Sequence, residues 1–442
     1  MQTPLTTKSA DRAQARARPL ALALALALPV GLSCGDEVDA DELQEASEFP
    51  SCPAGDGLFT RSPVDSSLLE VILPMGSTTG GTYHTLPTKH VYLNVPFERV
   101  GQVRRPAVTD QPVVAPGDMI ITVVRWETRD ELDEEGEFVA ARDDYSLFAR
   151  SCDDVRMYFY HLNSVSDAIL SAEGSLDSEE GGECRYDEDG AVRECAARIS
   201  VQVAAGEVIG TVFRTGYVGL DWGVIDERRE VGFLSPARYI PPTKTSPDSY
   251  SEPIRAEMRS SMNNARCPLD LYEDEAIERE LKELLGGVKG YTKSLFDPPC
   301  GAVNFDLAGT ARGHWFVGAD TTASDQELVL ALVNYYVDPS VPLFSPGRAL
   351  ADLPEDNYTF EVAASGRINR RFEDVTPGAT YCWHGLLRYH EPSTVAHHGR
   401  VLIRLEEEGD APALTFEYQE GEDECGSEDS WSFGAGAWQL MR

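Results

Sequence analysis

The chain has 442 residues, with 38 Lys and Arg against 74 Asp and Glu, and a formal net charge of −36. That excess excludes the clustered basic surface that nucleic-acid phosphates require. It also excludes adhesion to anionic headgroups by charge, and reads as hydrated acidic faces that keep the chain in solution. No phosphate loop, CxxC pair or Cys/His nucleophile pair stands in the sequence, and carboxylates are too abundant for a glycosidase pair to be singled out.

In chain order, Lys8, Arg12, Arg16 and Arg18 form a basic flank, Leu20 to Leu28 is an unbroken Leu/Ala run, and Pro29-Val-Gly-Leu-Ser33 leads into Cys34. A basic flank, a short apolar core and small residues describe a secretory signal, and the apolar run is shorter than the ~20 residues of a bilayer-crossing helix. Leu32-Ser33-Cys34-Gly35 resembles the lipobox of bacterial lipoproteins. The resemblance implies a signal peptide at 1–33, lipidation of Cys34, and a membrane partner through that lipid. Gly35 after the cysteine then points to the outer membrane of a bacterial cell envelope. An ordinary signal cut elsewhere is the alternative. Taking away four basic residues and one acidic residue with the signal leaves the rest at −39. Residues 34–51 follow as an acidic tether, in which Asp36, Glu37, Asp39, Asp41, Glu42, Glu45 and Glu48 repel one another and favour an extended chain.

Apart from Cys34 the cysteines are Cys52, Cys152, Cys184, Cys195, Cys267, Cys300, Cys382 and Cys425, an even number that predicts disulfides in an exported chain. Cys184 and Cys195 flank a turn-rich Arg-Tyr-Asp-Glu-Asp-Gly stretch that can close a hairpin. Spacing leaves the other pairings open, with Cys267–Cys300 and Cys382–Cys425 available as local bridges.

The mature length suggests two domains. Residues 52–234 read as short strands, at His90–Val95, Met119–Val124, Val155–Tyr160 and Ile199–Val203. Polar insertions at Glu127–Asp144 and Ser171–Glu194 read as surface loops. Residues 235–298 read as a Pro/Ser-rich linker with one amphipathic helix near Leu271–Leu285. Ile277, Leu281, Leu284 and Leu285 share its face, Asp270 and Glu273 cap it, and Gly286-Gly287 ends it. Residues 299–442 are again β-patterned, at Leu328–Val337, Tyr358–Val362, Val401–Leu405 and Leu414–Tyr418. They are expected to form a second, sandwich- or barrel-like unit. The fold class expected is mainly β.

Four stretches of the first region, over roughly residues 84–230, resemble in order the lysostaphin-type zinc metallopeptidases, which cut cross-bridges in bacterial cell walls. They are His90-Val-Tyr-Leu-Asn94, Gln111-Pro-Val-Val-Ala-Pro-Gly-Asp-Met-Ile120, Tyr158-Phe-Tyr-His161-Leu-Asn, and Val203 to Gly210 with Thr215-Gly216 and Gly219-Leu-Asp-Trp-Gly223. The resemblance implies a duplicated-hybrid-motif β sandwich. In that family zinc is held by the His and Asp of His-x-x-x-Asp and by the second His of His-Leu-His. Two further His residues orient and deprotonate the metal-bound water. His90 keeps the first ligand and His161 keeps one catalytic position. Asn94 stands for the carboxylate ligand, Asp221 for the first His of His-Leu-His, and Gly223, without a side chain, for the second. A catalytic zinc needs three protein ligands and an open position, so the pattern is too depleted for the family's mechanism.

The expectation is therefore an inactive, peptidase-like domain with no cofactor, binding or scaffolding at peptidoglycan or an envelope protein. The alternative is a zinc metalloendopeptidase or peptidoglycan hydrolase with a rearranged site built from His84, His90, His161 and Asp221, since three imidazoles and a carboxylate suit zinc. Asp306-Leu-Ala-Gly-Thr-Ala-Arg-Gly-His-Trp-Phe316 resembles a segment of similar divergent exported proteins and implies no activity. His397-His398-Gly399 reads as an exposed turn and His384 as strand surface.

Overall fold

Short β-branched and aromatic runs pair into antiparallel ladders throughout the protein, as this computed structural model shows for residues 49–442. Excepted are 82–83, 102, 133–137, 173–182, 187–192, 241–249, 288–292, 351–352, 354–355, 391–392 and 409–410. The signal, Cys34 and the acidic tether up to residue 48 lie outside the described residues. The fold is mainly β. Among the described residues no helix is long and apolar enough to cross a membrane.

The first region supplies β1 (Val71–Leu73), β2 (His90–Asn94), a ribbon of β3 (Phe97–Val100) and β4 (Val103–Pro106), β5 (Gln111–Val114), β6 (Met119–Leu132), β7 (Phe138–Cys152) and β8 (Val155–Val165). A short helix α1 (Asp167–Ala172) precedes β9 (Glu183–Tyr186), β10 (Arg193–Val203), β11 (Val208–Val212) and β12 (Gly219–Asp226). The strand order is β1-β2-β12-β8-β7-β6-β10-β9, with β11 joining β5 to β8.

Glu127–Asp144, expected as a loop, is instead the outer part of the β6–β7 hairpin, which pairs Glu127 with Asp144 and continues to Leu132 opposite Phe138. Ladder hydrogen bonds satisfy the backbone of such a hairpin whatever side chains it carries, so its polar sequence gives no strand signal. Arg125 holds the base of this ribbon by donating to Glu194 at 2.6 Å and Glu127 at 2.9 Å. Within the second polar insertion, β9 pairs with β10 and places Cys184 opposite Cys195, where they are bonded.

Residues 235–298 pack rather than merely connect. They carry α2 (Glu252–Met258), β13 (Ala265–Arg266), which pairs with β12, and α3 (Glu275–Glu283), and they bury Tyr239, Tyr250, Ile254, Met262, Leu269 and Leu271. The helix begins later than the sequence suggested. Asp274, not Asp270, is its cap and accepts from the amide of Ala276 at 2.8 Å. Pro268–Leu271 is a separate 3-10 turn whose leucines are buried, and Asp270 instead meets Lys282 at 2.6 Å.

The second sheet comprises β14 (Gly313–Val317), β15 (Val329–Asn334), β16 (Pro342–Pro346), β17 (Tyr358–Thr359), β18 (Thr380–Trp383), β19 (Leu387–His390), β20 (Ser393–Ala396), β21 (Arg400–Glu408), β22 (Ala411–Gln419) and β23 (Trp438–Met441). Its order is β18-β21-β22-β23-β14-β15-β16-β17-β19-β20, curled into a half-barrel. Every residue of β15 is buried. Such a run marks a strand covered on both faces. Leu330 and Leu332 join Trp315, Phe344 and Trp383 inside the half-barrel, whereas Val329, Ala331 and Val333 join the core that also holds Val91, Leu93 and Trp222. One continuous core therefore binds the two sheets together. Three further disulfides join Cys52 to Cys152, Cys267 to Cys300 and Cys382 to Cys425.

Candidate functional site

Strands β2, β12 and β8 lie side by side, and alternation gives them two unlike faces. Val91, Leu93, Trp222 and Phe159 point into the core, with the Trp222 and Phe159 rings stacked at 6.3 Å. The opposite face carries His90, Tyr92, Asp221, Gly223, Tyr158 and Tyr160, registered as Gly223 between His90 and Tyr158, and Asp221 between Tyr92 and Tyr160.

Strict alternation would send His161 to the core side with Phe159. A bulge prevents this. The register of β7 with β8 advances two residues, Tyr145 to Leu147, while β8 advances three, Leu162 to Phe159. The extra residue leaves Phe159 and Leu162 both fully buried in the core and gives His161 a φ of 68°. Bulges of this kind re-aim one side chain, here at a local cost, because a left-handed backbone disfavours a side chain that is not glycine. His161 is thereby turned onto the face of Asp221.

The four sequence-named residues converge. One carboxylate oxygen of Asp221, Oδ2, lies 3.4 Å from His90 Nε2 and 3.6 Å from His161 Nε2. His84 meets the His90 ring edge-on, with centroids 6.0 Å apart. The loop carrying His84 is held from the second sheet: Asn357 Nδ2 donates to the Thr78 carbonyl at 2.5 Å, Gly81 donates to Pro346 at 2.9 Å and Arg348 to Gly81 at 3.0 Å. The cluster is consequently sunk, with His90 5% and Asp221 6% exposed. Burial, followed by the neighbouring charges of His84, Lys89 and His161, holds the His90 imidazole well below its ordinary range. Burial, then His161 and Lys89, lowers His84 to about 4. Lys89, also pushed down by burial to about 8, donates to the Ser260 carbonyl at 2.7 Å.

Several participants carried no sequence signal. Asp144 Oδ2 sits 2.9 Å from His161 Nδ1 and fixes the ring, and Arg214 reaches the same oxygen at 3.3 Å while donating to the Asp143 carbonyl at 2.5 Å. The Tyr217 ring lies 4.7 Å from that of His161. The Tyr158 hydroxyl lies 3.3 Å from His90 Nδ1. Asp144 ends an acidic stretch that reads as a loop from its sequence, and Tyr158 stands in an aromatic strand run that reads as packing. His90 Nε2 is buried and has no hydrogen-bond partner.

The positions that depart from the lysostaphin-type pattern are occupied in an informative way. A Cβ on Gly223 would lie 2.1 Å from Cζ of Tyr158, so the ring fills the space where a side chain at 223 would begin. Asn94 crosses Gly219, where a Cβ would lie 2.0 Å from its Oδ1. His90 and Asn94 are the two ends of one regular strand. At about 3.3 Å per residue their Cα atoms are ~13 Å apart, too far to share an ion. Even an aspartate at 94 would not join His90 at a metal in this conformation.

Two imidazole nitrogens flanking one carboxylate oxygen can share a proton or hold a cation. Among the described residues, the only three such ligand atoms that all lie within 4.8 Å of one another belong to Cys52, Cys152 and Asp153, whose sulfurs are already bonded to each other. The His90–Asp221–His161 trio is more open than that. No family model matches this chain, and no curated protein or solved structure matches it either.

Proposed function

We propose that this chain is an exported lipoprotein, anchored through Cys34 to the bacterial outer membrane, whose first sheet is a peptidase-like scaffold that binds rather than cuts. The supporting observation is the packing of Tyr158 across Gly223. It fills the place from which a third lysostaphin-type ligand would project, and the straight β2 strand removes position 94 from His90 as well. A binding role at peptidoglycan or an envelope protein retains the sheet and its sunken polar cluster without asking for a hydrolytic water. The second reading, a metal-dependent peptidoglycan hydrolase or peptidase with a rearranged site, is favoured by one observation, the convergence of His90 Nε2 and His161 Nε2 on Asp221 Oδ2 at 3.4 Å and 3.6 Å.

The test uses the full chain and isolated cell-wall sacculi. Retention on sacculi without release of soluble fragments is expected. Fragment release that disappears in His161→Ala would replace this reading with the hydrolase. Cys34→Ser should move the protein from the detergent phase to the aqueous phase. Unchanged partitioning would remove the anchor from the proposal.

A further inference from the structure

We propose that the β3–β4 ribbon is an anion-binding arm, whose Arg99 and Arg104 together grip a free carboxylate of the peptide stems in peptidoglycan. This rests on the wall-binding reading above and names the group that would be recognised.

The register of the ribbon sets Arg99 directly opposite Arg104, on the face that also carries Phe97 and Pro106. Residues paired in this way have Cβ atoms about 4.5–5.5 Å apart, and like charges so placed destabilise a ladder. The neighbouring pair, Glu98 and Arg105, is of opposite sign and lies on the other face. With 74 Asp and Glu against 38 Lys and Arg, carboxylates are plentiful in this chain. Arg125, Arg150, Arg228 and Arg266 each have one as a partner. Among the described residues, Arg99 and Arg104 have none. The two strands belong to neither large sheet, so a short ladder alone has to bear the repulsion. An oxyanion between the two guanidiniums replaces that repulsion with charge-assisted hydrogen bonds, and a planar carboxylate matches the guanidinium fork.

The arm is held in place. The Arg104 carbonyl accepts from the Gly216 amide at 2.7 Å, Ala107 donates to Pro96 at 2.7 Å, and Val95 donates to Val218 at 3.1 Å. The Arg104 guanidinium lies 5.5 Å from the centroid of the Phe97 ring, a cation–π contact that steadies it while both arginines stay exposed. Gly216 belongs to the Arg214–Tyr217 turn, whose Tyr217 ring lies 4.7 Å from that of His161. The arm therefore stands at the rim of the face that holds the sunken polar cluster.

Position selects the source of the carboxylate. The described chain enters the fold at the other end of β8, where Cys52 is bonded to Cys152, Asp153 donates to Pro50 at 3.1 Å, and Arg150 lies 4.7 Å from the centroid of Phe49. From Val155, which opens β8, to Leu162, which pairs with Val212 just ahead of the Arg214–Tyr217 turn, the strand runs ~23 Å at about 3.3 Å per residue. A protein held by its N-terminal side thus presents the arm away from the lipid that holds it, toward the wall rather than toward headgroup phosphates. The net charge of −36 does not cancel the arm locally, because exposed charges more than ~8 Å away are screened at physiological ionic strength.

The experiment mixes the full chain with isolated sacculi, with sacculi whose carboxylates have been amidated, with anionic phospholipid vesicles, and with the soluble stem peptides released from the sacculi. The double substitution Arg99→Gln with Arg104→Gln should weaken sacculus and peptide binding by about tenfold or more. Amidation of the sacculi should do the same to the wild type, and added salt should weaken the wild type more than the double variant. Arg104→Lys, which keeps the charge without the fork, should fall between them. Arg229→Gln, at an exposed arginine paired with Asp56, should bind as the wild type does. Removing a repulsion at exposed positions should leave the double variant's melting temperature no lower than that of the wild type, whereas a structural role for the two arginines would lower it. Equal sacculus and peptide binding by wild type and double variant overturns the inference and leaves the binding role standing. Peptide binding that needs the two arginines, without sacculus retention, sinks the wall role and keeps the carboxylate arm. Vesicle binding that the double variant loses, with amidated sacculi retained as before, overturns the inference in favour of lipid phosphates.

Discussion

Gly223 and Tyr158 face each other across β12 and β8, and position 223 cannot gain a side chain while the Tyr158 ring stays where it is. A Cβ at 223 would lie 2.1 Å from Cζ and 2.4 Å from the hydroxyl of Tyr158, so the ring must leave its place beside His90. Gly223→Ala should therefore destabilise by about 1–3 kcal/mol, the usual range for overpacking. In a Tyr158→Ala background the same substitution should cost much less, because touching residues are not additive. Urea denaturation of the four proteins of this cycle measures it; equal costs in both backgrounds would show that the ring does not confine position 223. At this scale the histidines and Asp221 were legible in the sequence, since few residue types offer that chemistry. The supports were not. A strand tyrosine reads as packing, a carboxylate in an acidic stretch reads as solvated surface, and nothing local announces the bulge that turns His161 around.

Helix α3 shows how capping decides where an element begins. Its sequence offers two aspartates ahead of the apolar face, and only the contacts separate them. Asp274 accepts from the Ala276 amide, whereas Asp270 forms an ion pair with Lys282. Asp274→Ala should cost about 0.5–2 kcal/mol, the worth of an N-cap. Asp270→Ala should cost less than about 1 kcal/mol, as an exposed pair does. Thermal unfolding of the two variants ranks them, and the reverse order would return the helix start to Asp270. The apolar strands were legible because β-branched runs with a buried face have a period. The β6–β7 ribbon was not, because a ladder paired only to itself needs no apolar period. The full burial of β15 was equally invisible, since its apolar run Val329 to Val333 fits a half-buried strand as well as one enclosed between two cores.

Across the whole molecule, long-range covalent and electrostatic terms set stability. The Cys52–Cys152 bond closes a sequence separation of 100, against 11 for Cys184–Cys195. Cys52→Ser with Cys152→Ser should cost about 2–5 kcal/mol, and the Cys184/Cys195 double substitution less, because loop-closure entropy grows with loop length. Denaturant midpoints of the two double variants test the order. The response to acid is set by opposing terms. An excess of carboxylates makes the folded chain repel itself, and that repulsion eases as pH falls. His314 works against it. The ring is fully buried beside Tyr239, whose hydroxyl lies 2.9 Å from its Nδ1, and Arg442 also disfavours its protonation. Burial, the largest cause, brings it down from 6.5 to about 4, although Asp306 pulls the other way. Because the folded value is the lower one, the unfolded chain binds the proton first. The neutral ring's contribution is complete above pH 6.5 and is lost as pH falls toward 4. At 1.36 kcal/mol per unit, the loss amounts to about 3 kcal/mol by pH 4. His314→Gln, which keeps a polar partner for Tyr239 and cannot titrate, should remove this part of the slope and leave the carboxylate part intact. Unfolding free energies of both proteins from pH 7 to pH 4 should therefore converge as the pH drops, with the wild type falling faster. Parallel curves would mean that His314 takes up its proton without cost in the folded state.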